Sequence, residues 1–163
     1  MLQLVIAMFK LTVLRVIISI AVTLAVGFIG SIFTTPSIAT WYTTINKPSF
    51  NPPNWIFGPV WTCLFILMGI SFYLIWQRRL TTKALAIFTL QLILNVLWSV
   101  LFFYLKSPSL AFIEIIFLWA TILANIVIFY SISKTAGLLL VPYILWVSFA
   151  SFLNYMIISL NPK

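Results

Sequence analysis

Few residues in this chain could do acid, base or nucleophilic chemistry. Glu114 is the sole carboxylate, Cys63 the sole thiol, and there is no histidine. A general acid and a general base cannot both be carboxylates within one chain. A metal site of histidine, cysteine and carboxylate has almost no ligands to draw on. One cysteine forms no disulfide within the chain, so cysteine usage leaves the redox compartment open. What is abundant is aromatic surface: 7 Trp, 6 Tyr and 15 Phe. A binding site here must be built from rings, amides, hydroxyls and helix ends. Trp61, Phe65, Met68 and Phe72 recur at helical spacing on one stripe. Trp98 lies one turn from Asn95, with Ser99 beside it. Trp146, Ala150 and the Leu153–Asn154 pair make a third single-face stripe. If these faces converge, a flat conjugated ring could stack on the indoles, with buried amides setting its orientation. Ala150 leaves room for it near a helix backbone. The same stripes also suit plain helix packing.

The elements that must position these residues follow from composition. The 163 residues are 64% apolar and only 6% charged, where a soluble domain runs at about 25% charged. No interior of this size hides that much apolar surface from water, so the solvent is lipid. The net charge of +8 is scattered between apolar runs, as loop charges are on membrane proteins, and does not form a nucleic-acid patch. A crossing helix needs about 20 mostly apolar residues. Residues 11–33, 55–76, 84–104, 110–131 and 138–160 qualify. None alternates with period two, which argues against a β-barrel. The expected fold is all-α: residues 1–163 form one domain, an up-and-down bundle of five transmembrane helices with no soluble part.

Basic residues orient the bundle. Lys10, Arg15, Arg78, Arg79, Lys83 and Lys134 collect on the amino-terminal side, and Lys47, Lys106 and Lys163 on the other. The amino terminus is therefore expected in the cytoplasm, with the carboxy terminus and first loop outside. Arg15 lies within a span and must snorkel. The first span has a basic flank and a Ser37-Ile38-Ala39 sequence resembling a cleavage site, but its apolar run is too long for a signal peptide, so it is read as a retained helix. Glu114, a lone acid within a span, is a candidate for proton coupling, but it lies early in its helix after Ser107-Pro108-Ser109, where an acid favours the helix dipole and can reach the interface, so the structural reading is preferred. Cys63 reads as a small apolar filler. Asn125 reads as a helix-bridging amide. Pro59 and Pro142 fall early in their helices, where proline is tolerated, and Gly137 reads as a helix C-cap. Ala21/Ala25, Gly27/Ser31 and Ala120/Ala124 are small-residue pairs suited to helix association.

Residues 34–54 are the most unusual stretch. Pro36, Pro48, Pro52 and Pro53 stiffen it, and Trp41, Tyr42 and Phe50 argue against disorder. It reads as a capping loop over one end of the bundle, or as an interfacial aromatic belt.

Trp41-Tyr42, then Lys47-Pro48-Ser49-Phe50-Asn51-Pro52-Pro53-Asn54-Trp55, then Gly58-Pro59-Val60-Trp61, resembles the tryptophan-rich sensory protein/translocator protein (TspO/MBR, peripheral benzodiazepine receptor) family. Gln91-Leu92, Asn95, Trp98-Ser99 and Phe102-Phe103 resemble the family's third helix. Leu140-Val141-Pro142-Tyr143, Leu145-Trp146-Val147-Ser148-Phe149-Ala150 and Leu153-Asn154-Tyr155 resemble its fifth. The resemblance implies a membrane homodimer with a pocket between the helices, capped by the first loop. It implies protoporphyrin IX or haem, or similar flat apolar molecules, as ligands, and no required cofactor. The matched pocket residues are Trp61, Asn95, Trp98, Trp146 and Ala150. Phe65 and Asn154 share their faces, and Tyr42 and Lys47 are candidate partners for a porphyrin carboxylate. The cholesterol-contact pattern of animal members is incomplete, because Lys163 follows Tyr155 too distantly. That gap favours a bacterial inner membrane. The functions implied are binding and sensing first, then transport of porphyrins or sterols. Light- and oxygen-dependent porphyrin breakdown comes third, with Trp61 and Trp146 as the redox partners. Five spans cannot complete an inverted repeat, which disfavours alternating access within one chain.

Overall fold

The computed structural model describes residues 2–162, so Lys163 and its place in the charge asymmetry lie outside the described residues. The described chain is helical, with no strand. It forms α1 (Leu2–Ile38), α2 (Trp41–Thr44), α3 (Asn54–Arg78), α4 (Thr82–Ser99), α5 (Pro108–Ile132), α6 (Lys134–Leu138) and α7 (Val141–Leu160). A π-helical segment, Val100–Tyr104, continues α4. Five stretches are long and apolar enough to cross a membrane: Met8–Ile38, Asn54–Arg78, Thr82–Tyr104, Pro108–Ile132 and Lys134–Leu160.

Helix ends follow local chemistry. The Thr81 hydroxyl accepts from the Ala84 N–H at 3.1 Å and starts α4. Ser133 does the same for α6 through Ala136 N–H at 3.4 Å. Pro142 stands in the first turn of α7, where its missing N–H costs nothing. Pro59 departs from expectation. It lies past the first turn of α3, which already starts at Asn54. Helix α1 also runs further than the expected end at residue 33, through Pro36 to Ile38. Hydroxyls tie down this last stretch: Thr34 Oγ1 donates to Gly30 O, Thr40 Oγ1 to Pro36 O, and Ser37 Oγ to Phe103 O across to the π-segment.

The bundle is knit in the way lipid requires. Apolar contact between helices gains nothing over contact with acyl chains, so close packing and interhelical hydrogen bonds must hold it. Gly69 lets α3 approach α1 so closely that a Cβ there would stand 2.6 Å from Ile20 Cα. Beside it Thr23 Oγ1 donates to Phe65 O at 2.7 Å. Ser71 Oγ donates to Ala136 O at 2.7 Å and ties α3 to α6. Gly137 is not a left-handed cap, because no described glycine has positive φ. It is small because a Cβ would lie 2.6 Å from Tyr130 Cβ. At the uncapped end the core is a ring stack: Phe72 on Phe88 at 4.6 Å, and Phe88 on Phe129 at 5.7 Å. Large side chains such as Ile17, Ile93, Phe117 and Leu145 face outward, as lipid permits.

Two polar side chains sit differently from expectation. Glu114 does not reach the interface. It is 6% exposed, and neither carboxylate oxygen has a hydrogen-bond partner among the described residues. Its position on α5, between Ala111 and Leu118 on the buried face, turns it inward. Asn125 is also buried, and its Oδ1 finds no donor.

Candidate functional site

At the end of the bundle that carries the 34–54 connection, the helices part around a cavity of about 560 Å³. Helices α3 and α7 meet across its floor through rings: Trp61 on Tyr143 at 6.2 Å and Phe57 on Trp146 at 5.9 Å. Trp61 and Phe65 come from α3, Asn95 and Trp98 from α4, and Trp146, Ala150 and Asn154 from α7. All of them line the cavity, as does Tyr42 from α2.

Lys47 does not line the cavity. Its ammonium donates to Tyr42 O and Ile45 O, and sits 4.7 Å from the centre of the Tyr42 ring. Three local acceptors, two carbonyls and a ring face, hold it inside its own loop, so it braces the cap from behind. No charged residue is found among the lining residues.

The cap is folded over the cavity. Tyr42 is 5% exposed and packs on Phe103 at 5.7 Å, while Trp41 meets Phe102 at 5.6 Å. The Tyr42 hydroxyl donates to Asn51 Oδ1 at 2.9 Å. Burial pushes its phenol above the usual range, and the hydrogen bond to Asn51 draws it partly back. Farther along, Asn46 N–H donates to Asn161 Oδ1, and Asn161 Nδ2 to Asn46 O, both at 2.9 Å. This reciprocal pair ties the cap to the end of α7.

Most polar groups in the wall are committed to one another. Asn95 Nδ2 donates to Tyr143 Oη at 2.9 Å. Trp98 Nε1 donates to Asn154 Oδ1 at 3.2 Å, and Asn154 Nδ2 to Pro108 O at 2.9 Å. These bonds fix ring planes before any ligand arrives. The indole N–H groups of Trp61 and Trp146 make no such bond among the described residues and remain free to donate to a ligand.

Helix α1 supplies a wall that ring-and-amide stripes could not reveal. Gly27, Gly30, Ser31 and Thr34 line the cavity. Gly27 and Ser31, read as a helix-association pair, thus face inward. A Cβ at Gly27 would meet the Phe65 ring at 2.5 Å, so the glycine holds space for that ring. The spacing of small residues on α1 was the available signal, but it does not say which neighbour the face meets. Phe102 and Phe103 are both buried lining residues. They are adjacent in sequence, and the wider π-turn lets both turn inward. The wall also includes Phe28 and Trp55, 69% and 73% exposed, which places a mouth on the lipid side between α1 and α3.

The fold and cavity define an integral membrane protein of the all-helical, five-span class with an aromatic chamber under a loop cap. Residues 19–160 match the TspO/MBR family, and the chain belongs to it. It is 46% identical over 155 residues to the tryptophan-rich protein TspO of Chlorobaculum tepidum, covering 92% of this chain and 98% of that protein. It is 36% identical to the human translocator protein, over 80% of each chain. It is also 36% identical to the tryptophan-rich sensory protein of Cereibacter sphaeroides, over 74% of this chain and 77% of the relative.

Proposed function

We propose that this protein is a membrane receptor that binds a tetrapyrrole, or a similar flat apolar molecule, in the capped aromatic cavity. The observation that carries this reading is the cavity wall: indoles from three helices around about 560 Å³, with Asn154 holding the Trp98 indole and Asn95 holding the Tyr143 ring that packs on Trp61. A conjugated disc gains stacking there that a flexible chain would not. The wall offers no cation, so the carboxylates of protoporphyrin IX or haem would sit at the mouth, and Lys47 takes no part in holding them. The chamber offers no acid–base set. Breakdown of a bound porphyrin would therefore rest on Trp61 and Trp146, and it ranks behind binding.

The lipid-side mouth at Phe28 and Trp55 favours transport as the second reading, since a ligand could pass between cavity and bilayer there. Proteoliposome flux no faster than that of empty vesicles would remove it. The relatives named as sensory and translocator proteins are consistent with either role. We place the protein in a bacterial inner membrane as a homodimer, amino terminus inward, from the charge asymmetry and the resemblance.

The deciding experiment is a tryptophan-quenching titration with protoporphyrin IX in the dark, on the intact protein in detergent. Saturable quenching is expected, weakened about tenfold in affinity by Trp61→Phe or Trp146→Phe, the equivalent of losing about 1.4 kcal/mol. Linear quenching, equal in all variants, would show partition into detergent only.

A further inference from the structure

We propose that a second site, on the outer side of α1, binds one anionic phospholipid. A groove runs between the capped end of α1 and the π-segment that ends α4, apart from the aromatic cavity. Ile32, Phe33, Pro36 and Thr40 form its α1 side, and Tyr104 and Lys106 face them. The α1 residues follow one stripe of the helix and the turn after it, spanning about 12 Å at 1.5 Å per residue. Apolar side chains occupy the part nearer the membrane centre. The Lys106 ammonium occupies the part at the helix end, beside the Thr40 hydroxyl, which donates to Pro36 O. That is the polarity sequence of a phospholipid, from acyl chain to phosphate. The Phe33 and Tyr104 rings meet edge to face at 5.9 Å and give the groove a firm wall. The Ser37 hydroxyl is spent on Phe103 O, so the floor asks for no polar partner.

Lys106 supplies the recognition. It is the one non-glycine residue with positive φ among the described residues, at 52°. A left-handed lysine is strained, and such strain persists only where surrounding structure enforces it. Here Leu105 N–H donates to Val100 O at 2.8 Å and Ser107 N–H to Leu101 O at 3.0 Å. The π-turn therefore sets where this side chain leaves the backbone. Among the described residues its charge has no acidic partner, because the sole acidic side chain, Glu114, is buried. A second copy of the described residues would bring more cations and no exposed acidic side chain to the rim. A lipid phosphate neutralises it through a charge-assisted hydrogen bond near the interface.

The test is native mass spectrometry of the full chain with equal amounts of phosphatidylglycerol and phosphatidylcholine. One phosphatidylglycerol should be retained several-fold over phosphatidylcholine. Lys106→Gln should bring the ratio to about one, as should Lys106→Gly, which also relieves the strained φ and keeps the fold. Lys83→Gln, at the opposite end of the bundle, should keep the preference. Excess inorganic phosphate should leave the lipid in place. Equal retention in the parent protein, an unchanged preference in Lys106→Gln, or displacement by phosphate alone would overturn the proposal. So would oxidation of a Tyr104→Cys variant, in a Cys63→Ser background, that links two chains through position 104, since a second copy would then cover the groove.

Discussion

Glu114 carries two acceptors into an apolar interior where nothing donates to them. Leaving such a group unsatisfied costs about 1–3 kcal/mol, and an apolar replacement of similar shape recovers it. Glu114→Leu should therefore raise the thermal midpoint of the protein in detergent; a fall of similar size would mean that a partner for the carboxyl had been lost. Tyr42 gives the opposite case, a buried polar group that is satisfied. Removing its bond to Asn51 with Tyr42→Phe should loosen the cap by about 1 kcal/mol. Its phenol is raised in the folded protein, so in alkali the unfolded chain ionises first. Stability from this residue is full below about pH 10 and is lost as pH climbs through the raised value. Thermal midpoints measured across that range should fall less steeply for Tyr42→Phe than for the parent.

Among the elements, α1 and α3 decide how the cavity is shaped, and three glycines separate their roles. Gly69 faces the backbone of α1 at Ile20. Gly69→Ala must push the helices apart, at about 1–3 kcal/mol for overpacking. Gly58 has nothing within 4 Å of an added Cβ, so Gly58→Ala should be neutral or stabilising by up to about 1 kcal/mol from helix propensity. Gly27→Ala meets the edge of the Phe65 ring, at Cε2 and Cδ2, and must displace that ring within the cavity it lines. It should lower ligand affinity while the thermal midpoint stays nearly constant. Ligand titration and melting of the three variants would show whether stability and cavity shape separate in this way.

At the scale of the whole molecule, the cap closes the chamber by joining distant parts of the chain. The Asn46–Asn161 exchange holds the 39–53 connection to the last turn of α7. Asn161→Ala should speed amide exchange in that connection and leave the interior of α3, α4 and α7 unchanged. Uniform acceleration throughout would mean that the tie supports the bundle and not only its lid. With the cap released, the chamber would also open at its capped end, and ligand dissociation should quicken.

The sequence by itself determined the class of fold, because a chain so poor in charge can fold only in lipid, where apolar runs must become helices to satisfy their own backbones. It also determined which rings and amides form stripes, since helical periodicity places Trp61 with Phe65 and Trp146 with Ala150 whatever the neighbours are. Tertiary structure alone decided where each stripe points. Lys47 looked like a ligand's counter-charge, but nearby carbonyls and the Tyr42 ring turn it back into the loop. Glu114 looked interfacial from its distance to the helix start, but rotation about the α5 axis puts it on the buried face. Gly27 and Ser31 looked like an association face, and proved to be a cavity wall. In each case the deciding quantity was an angle about a helix axis or the reach of a side chain to a distant segment, and chain spacing carries neither.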